Sequence, residues 1–472
     1  MSKTSDALLF SFTTGALLSI THGYAPYLGL VAIIPLMLVL GRATPRQAFY
    51  GGLGCGLLES VILLGTLHYH WHLYLALCLF YGLERAVFAL CYVSLSRKSG
   101  VLLRTLLAPA LWVVLEVGHA WLPGTLPNLL GDTQHVGVFL GLARVGGTFL
   151  ICFVLVWFNA CVAEWLACRF QRGDAREVRR AGMVFVAALV VLGGLAWWSA
   201  PVDSGNHRVA TLVQGGFPRW VNRYARVKEE WASVPLTIYT KLSGSSARSD
   251  LTIWPEAAVW KHWGADPGYE RHLKQLATER GALLAGVLRK DDGATEFNSS
   301  LFLEGDSAQL GDKQRLVWRE ELAYAEGVAP ATFEASFGKG GAVFCLEAVM
   351  PAYTRQLVKE GAEFLVVLAS GSDLAHTPVA RIHAQRSIVR AVETGRAVLH
   401  AGHHGYSMAI SPRGEATPMA SPFESAVIEA PFELQTSETL YARWGNGPML
   451  CLVGFFIGLG ALRRAFGCRR CA

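Results

Sequence analysis

VFCLEAVMP, from Val343 to Pro351, is a short apolar run that stops on a cysteine and carries a glutamate two residues later. Runs of this length between turn residues read as buried strands, so Ala342–Cys345 is expected to be a strand with Cys345 at its end. Two other segments break in the same way. In TIWPEAAV (Thr252–Val259) the run Leu251–Trp254 leads to Glu256, and GDKQRLV (Gly311–Val317) holds Lys313. Val209–Val213, Leu283–Leu288, Ser300–Leu303 and Phe364–Leu368 also read as strands. Arg226–Leu242, Tyr269–Glu279, Pro351–Glu360 and Pro378–Glu393 read as helices. This alternation predicts an α/β domain around a central sheet, and strand ends are where such folds gather their chemistry.

Outside that domain the composition changes. Hydrophobic residues make up 52% of the 472-residue chain and charged residues 17%, so much of it does not face water. The apolar residues lie in long runs in the first two hundred residues and again near the C-terminus, whereas Pro201 to Trp444 has an ordinary soluble composition. A membrane-crossing helix needs roughly 20 mostly apolar residues. About eight spans are predicted, near Ala7–Ile20, Tyr24–Leu40, Gly51–Leu67, His72–Ser94, Val101–Ala120, Val138–Leu166, Gly182–Ala200 and Pro448–Ala465; the first two are short enough to form a hairpin. The expected organisation is a seven-span helical bundle over 1–200, a soluble domain over 201–446, and a helix with a basic tail over 447–472.

The formal charge of +6 does not indicate nucleic acid, because the positive residues sit in short clusters between apolar runs. Arg42 and Arg46 follow the second run, Arg97, Lys98 and Arg104 the fourth, and Arg169, Arg172, Arg176, Arg179 and Arg180 the sixth; Arg463, Arg464, Arg469 and Arg470 are in the tail. The opposite loops hold histidines and almost no Lys or Arg. The positive-inside rule then predicts both termini cytoplasmic, and eight spans put the soluble domain on the far side, which is the periplasm for the inner membrane of a Gram-negative bacterium. No small-residue cleavage site follows the first run, so it is read as a retained span. Of ten cysteines, nine lie in or beside the apolar runs, and Cys345 is the only one in the soluble domain. It has no partner there for a disulfide.

The three polar residues make chemical sense as a set. A thiol attacks as thiolate and needs a base and a positive charge nearby. Glu256 suits the base that takes the proton and later returns it. Lys313 suits the stabiliser of the negative oxygen in a tetrahedral intermediate, with the backbone N–H after Cys345 as a second donor. The expected intermediate is a thioester on Cys345.

TIWPEAAV, GDKQRLV and VFCLEAVMP resemble the three catalytic motifs of the nitrilase superfamily, and more narrowly those of its membrane-bound branch, the apolipoprotein N-acyltransferase family. The resemblance runs through APALWVVLE (Ala108–Glu116), LPNLLGDTQ (Leu126–Gln134), LVQGGFP (Leu212–Pro218), Arg390–Glu415 and TLYARWGNGPML (Thr439–Leu450). It implies a nitrilase-like αββα sandwich carrying a Glu256–Lys313–Cys345 triad. It also implies supporting roles for Glu347 and for a second active-site glutamate, Glu321 or its neighbour Glu320. Several segments depart from the family pattern. Trp318-Arg319-Glu320 replaces Pro-Phe-Gly, Leu346 replaces the tyrosine after the nucleophile, Ser370-Gly371-Ser372-Asp373-Leu374 lacks the aromatics of the substrate loop, and His403-His404 replaces Asn-Asn.

By this resemblance the expected activity is phospholipid-dependent N-acyl transfer. A phospholipid is the acyl donor, a lipoprotein α-amino group or another amine is the acceptor, and no cofactor or metal is required. The altered loops keep open an alternative, the conjugal-transfer branch of the same membrane family, acting on a different amide, ester or amine. A non-catalytic scaffold would not be expected to retain all three triad residues. His403 and His404 lack a matching ligand set and read as packing or solvated histidines, as do His68, His70 and His72. Cys468 and Cys471 form a C-x-x-C without a second pair, which does not make a metal site. Glu116 and His119, near the end of a span, are candidates for contact with a lipid head group.

Overall fold

Apolar runs of this length become helices because backbone N–H and C=O groups in hydrocarbon need partners within their own segment. The computed structural model describes residues 3–65, 71–121, 128–171, 174–316, 323–371 and 378–466. The chain divides into two units, Met1–Ser199 with Trp444–Ala472, and Ala200–Arg443.

The first unit is helical. It contains α1 (Lys3–Gly23), α2 (Ile34–Leu40), α3 (Pro45–Leu64), α4 (Trp71–Ser96), α5 (Val101–Trp121), α6 (Ala143–Gln171), α7 (Ala175–Trp198) and a C-terminal helix (Gly447–Phe466). Among the described residues six helices are long and apolar enough to cross a membrane: α3, α4, α5, α6 with the turn before it, α7 and the C-terminal helix. The predicted span Tyr24–Leu40 is not one helix. It forms a 3-10 turn, Pro26–Leu30, and then the seven-residue α2. Such a helix is only about 10 Å long, against a hydrocarbon core of about 30 Å. Side chains from distant helices satisfy the broken backbone. Asn159 accepts from Ile33 N at 3.0 Å and donates to Gly29 O at 2.8 Å. Gln134 Nε2 donates to Pro26 O at 2.7 Å, and Leu36 N donates to Thr14 Oγ1 at 3.0 Å. Non-helical backbone is tolerated at such depth only when it is buried in protein in this way.

The same unit buries charge. Arg85 donates to both oxygens of Glu59, from Nε at 3.1 Å and Nη2 at 3.3 Å, and its guanidinium lies 4.0 Å from the Trp112 ring centroid. Glu84 faces His119 Nδ1 at 3.5 Å. Glu116 accepts from Trp112 Nε1 at 2.8 Å and Leu130 N at 2.9 Å. Glu116 and His119 are 1% and 3% exposed, so they do not present themselves to a head group as expected. An ionised group in a bundle turns inward, where it finds partners.

The second unit is an αββα sandwich. Its strands are β1 (His207–Gln214), β2 (Leu251–Trp254), β3 (His262–Trp263), β4 (Ala282–Lys290), β5 (Glu296–Glu304), β6 (Ser307–Asp312), β7 (Ala331–Ala335), β8 (Gly338–Phe344), β9 (Phe364–Ala369), β10 (Ala397–Gly402), β11 (Met408–Ile410) and β12 (Ala426–Glu433). Its main helices are α8 (Arg219–Val227), α9 (Val234–Gly244), α10 (Pro267–Arg280), α11 (Pro351–Lys359) and α12 (Pro378–Thr394). One sheet runs β12-β1-β2-β4-β5-β6 with β3 beside β4, and the other runs β11-β10-β9-β8-β7.

Successive side chains on a strand point to opposite faces, and here both faces are apolar. Ala210, Leu212, Leu251, Ile253, Leu284 and Phe302 of the first sheet meet Phe333, Phe344, Phe364, Val366 and Leu399 of the second between the sheets. The alternate residues Val213, Trp254, Leu283, Ala285 and Leu301 pack outward against Tyr239 of α9 and Tyr269, Leu273 and Leu276 of α10. Helices α11 and α12 pack on β8 and β10 of the second sheet. Two-sided burial explains why these strands read as continuous apolar runs. The helix expected over Arg226–Leu242 is interrupted instead: α8 ends at Val227, and α9 starts at Val234 with Pro235 in its first turn.

The buried ion pair of the helical unit yields a test. Arg85→Met leaves Glu59 and Glu84 without their guanidinium. Removing one partner of a buried pair costs roughly 3–5 kcal/mol, so thermal unfolding in detergent should shift strongly downward. An unchanged midpoint would show that the pair carries no stability.

Candidate active site

The site is assembled from strand ends that the sandwich brings to one edge. Pro255 terminates β2 because it cannot donate to a ladder, and Glu256 follows it. Glu256 is 4% exposed, yet both of its carboxylate oxygens are engaged. Oε1 accepts from Lys313 Nζ at 2.8 Å and from Asn298 Nδ2 at 2.9 Å; Oε2 accepts from Ser370 N at 3.1 Å. Close packing behind the carboxylate requires a glycine. A Cβ on Gly286 of β4 would stand 2.6 Å from Glu256 Cα and closer still to Pro255 O.

Lys313 follows β6 and is 1% exposed. Its backbone N–H donates to Asn298 O at 2.9 Å, and its carbonyl accepts from Gly327 N at 2.7 Å. Asp312, just before it, is tied to Arg289 Nε at 2.7 Å and to the Ser299 hydroxyl at 2.6 Å. Asn298 therefore holds Lys313 through its carbonyl and Glu256 through its side-chain amide. No motif in the sequence marks Asn298. The available signal was an amide in an otherwise buried strand, a position that needs hydrogen-bond partners.

Cys345 follows β8 and opens a 3-10 turn, Cys345–Val349. Its φ of +40 is a left-handed conformation rare for a residue with a Cβ. Glu347 ties this turn to the Lys313 loop. Its Oε2 accepts from Phe344 N at 2.8 Å, and its Oε1 accepts from Gln314 N at 2.6 Å and Arg315 N at 2.9 Å. Burial pushes the Glu347 carboxyl up to about 7, against the pull of the Phe344 N–H, the Lys313 charge and the Arg315 and Gln314 N–H groups. Thus Lys313 touches Glu256 directly, while Glu347 fastens the residues after Lys313 to the turn that presents Cys345. The Leu346 side chain is buried at 4% exposure. Glu320 and Glu321 lie outside the described residues, as do Ser372, Asp373 and Leu374.

The late segment acts through its backbone and buried ions. His403 N and His404 N donate to Ala369 O and Ser370 O at 2.9 and 3.0 Å. Their side chains are buried, with His403 Nδ1 at 2.5 Å from the Tyr239 hydroxyl and His404 Nε2 at 2.6 Å from Phe217 O. Burial, then the His404 charge, holds His403 well below the usual histidine range. Among the described residues no cluster of three His, Cys, Asp or Glu side chains is arranged for a metal. Arg390 of α12 pairs with Glu393 at 2.7 Å and donates to Val349 O at 3.1 Å, bracing the end of the Cys345 turn. His383 of the same helix places Nε2 2.7 Å from Cys345 O. The expectations from sequence did not include His383, since its partner lies 38 residues away and no local pattern marks it.

Two substitutions test this architecture. Gly286→Ala should displace the Glu256 backbone and, if Glu256 is the base, lower turnover at least about tenfold without removing any polar group, a consequence of misplacing a reacting group. Glu347→Gln should place an NH2 against a backbone N–H. Leaving a buried donor unpaired costs about 1–3 kcal/mol, which thermal unfolding would read as a loss of stability.

Residues 14–161 match the family profile of the apolipoprotein N-acyltransferase N-terminal domain, and residues 203–441 match that of the carbon-nitrogen hydrolases. The chain is 26% identical to the apolipoprotein N-acyltransferase of Geobacter metallireducens, across 93% of this chain and 91% of that one. It is 27% identical to the Azotobacter vinelandii protein of the same name, across 97% and 95%. Among solved structures, a CN-hydrolase superfamily protein from Xanthomonas campestris covers 52% of this chain and 96% of its own at 19% identity, with a TM-score of 0.40. With the soluble unit matched from end to end, and the helical unit matched by the N-terminal profile, the chain belongs to the carbon-nitrogen hydrolase family.

Proposed function

We propose that this protein is a membrane N-acyltransferase that carries an acyl chain from a phospholipid ester to an amine through a thioester on Cys345. The acceptor is the α-amino group of a lipoprotein's N-terminal diacylglyceryl-cysteine. In the first half-reaction the Cys345 thiol gives its proton to Glu256, and its sulfur attacks the ester carbonyl. The oxyanion that develops is met by Lys313 and the Leu346 N–H. The C–O bond then breaks, and the lysophospholipid oxygen leaves with the proton returned by Glu256. In the second half-reaction the neutral amine attacks the thioester, Glu256 takes the amine proton, the C–S bond breaks, and Glu256 returns the proton to the departing sulfur to restore the thiol. Glu347 supports both steps by holding the Cys345 turn against the Lys313 loop. Glu320 or Glu321 is proposed as a second active-site carboxylate.

The observation that carries this reading is the buried Glu256–Lys313 pair fastened through Glu347 to the Cys345 turn. It occurs in a chain whose N-terminal region matches the apolipoprotein N-acyltransferase domain. Two of the departures that kept the conjugal-transfer alternative open, at Ser370 and at His403-His404, bear less weight than their sequence suggests. Ser370 reaches Glu256 with its backbone N–H, and His403 and His404 meet the end of β9 with theirs, so these contacts do not depend on the side chains. The relatives named apolipoprotein N-acyltransferase also match over both units.

We further propose that the catalytic unit is periplasmic and both termini cytoplasmic, from the Lys and Arg clusters. Reporter fusions after Arg172 and Leu462 should then read cytoplasmic, and fusions within 201–444 periplasmic. A cytoplasmic signal from that domain would remove access to lipoproteins.

The function itself is tested by incubating purified protein with phospholipid and measuring intact mass. Wild type should gain an acyl adduct, Cys345→Ala should gain none, and Glu256→Gln should be strongly impaired. The wild-type gene should also restore growth to cells depleted of their own apolipoprotein N-acyltransferase. Adduct formation without rescue would assign a different acceptor, and no adduct with any phospholipid would refute acyl transfer.

A further inference from the structure

The contact between His383 and the backbone of Cys345 is not used by any step above. Cys345 sits at φ +40, a conformation that persists only where the surroundings over-determine it. On one side, Glu347 accepts the N–H of Phe344. On the other, His383 Nε2 lies 2.7 Å from the Cys345 carbonyl oxygen. A carbonyl can only accept, so the imidazole proton sits on Nε2. Burial, with the repulsion of Arg386 and Lys313 added to it, holds His383 down at about 4 despite the favourable carbonyl contact. The ring is therefore neutral at physiological pH. It is held edge-on to His400 with centroids 5.4 Å apart, and His400 is fixed in turn by the Ser387 hydroxyl at 2.8 Å from Nδ1.

A peptide unit is planar and trans. Its C=O and N–H point in opposite directions, so anchoring one aims the other. The carbonyl that His383 holds belongs to the same peptide as the N–H of Leu346. A hydrogen bond to that carbonyl also polarises the amide and strengthens its N–H as a donor.

We propose that His383 is a positioning residue for acyl transfer: by donating from Nε2 to the Cys345 carbonyl it aims the Leu346 N–H at the oxyanion of the tetrahedral intermediate. This rests on Cys345 being the nucleophile. His383 touches neither the thiol proton nor the substrate in this scheme, so its role separates from that of Glu256.

The separation gives the test. Two reactions of Cys345 are compared in the full-length protein. Acylation by p-nitrophenyl butyrate passes through a tetrahedral oxyanion. Alkylation by iodoacetamide displaces iodide directly and makes no oxyanion. Deleting an oxyanion donor outright costs on the order of a hundredfold or more, and loosening one should cost less. His383→Ala should slow acylation by roughly tenfold to a hundredfold while alkylation changes by less than about threefold. His383→Gln, which returns an N–H donor, should recover most of the acylation rate. Equal acylation by wild type and His383→Ala would overturn the proposal. So would a parallel fall in both reactions that Gln does not rescue, because that is the signature of a disordered turn. The ester keeps the outcome distinct from the lipid reading: wild type that reacts with p-nitrophenyl butyrate but not with phospholipid refutes phospholipid as donor and leaves the His383 comparison intact.

Discussion

The 2.8 Å contact between Lys313 Nζ and Glu256 Oε1, buried on both sides, is the constraint around which the catalytic unit is arranged. Removing two charges from water is expensive, and their attraction repays it only if the remaining hydrogen-bonding capacity is met. The fold meets it from several separate elements. Asn298 comes from β5, Ser370 from the end of β9, and Glu347 reaches from the cysteine turn to the backbone after Lys313. Each partner arrives at the end or edge of a strand whose interior is fixed by the apolar contacts between the sheets. The sandwich core thus sets the distances, and the polar shell sets the directions.

That arrangement uses backbone groups at some positions and a defined side chain at others. At Ser370 the backbone N–H makes the contact to Glu256, whereas His403 and His404 hold the end of β9 with their backbone and pack buried side chains against Tyr239 and Phe217. At Gly286 the approach of Pro255 and Glu256 leaves no room for a Cβ. At Glu347 a single carboxylate serves three backbone donors from two loops. A side chain in that position is chosen for acceptor number, since a carboxylate accepts without donating.

The helical unit obeys the same rule in a different solvent. Its broken segment around Pro26–Leu30 is partnered by Asn159 and Gln134. Its ionisable residues pair across α3, α4 and α5 instead of facing lipid. Apolar composition places such helices in a membrane, but buried polar contacts decide how they associate, because lipid offers no hydrophobic force between them.

The sequence by itself determined the fold class, an apolar helical region and an α/β domain, and singled out Glu256, Lys313 and Cys345 as the candidate site. Leu251–Trp254 and Phe364–Leu368 read as strands because both faces are buried, and the apolar runs of the first two hundred residues read as helices by length. Glu256, Lys313 and Cys345 were legible because each follows a strand, a local feature. The edge strands β6 and β7 were not legible, since their partly exposed residues alternate without an apolar signature. The break in Tyr24–Leu40 was not legible either: what stabilises it, Asn159, lies 126 residues from Ile33. The contacts of Asn298, Ser370 and His383 entered only with the tertiary structure. Their partners are 42, 114 and 38 residues away, and a hydrogen bond between groups so distant is set by how the sheets stack, which no local pattern records.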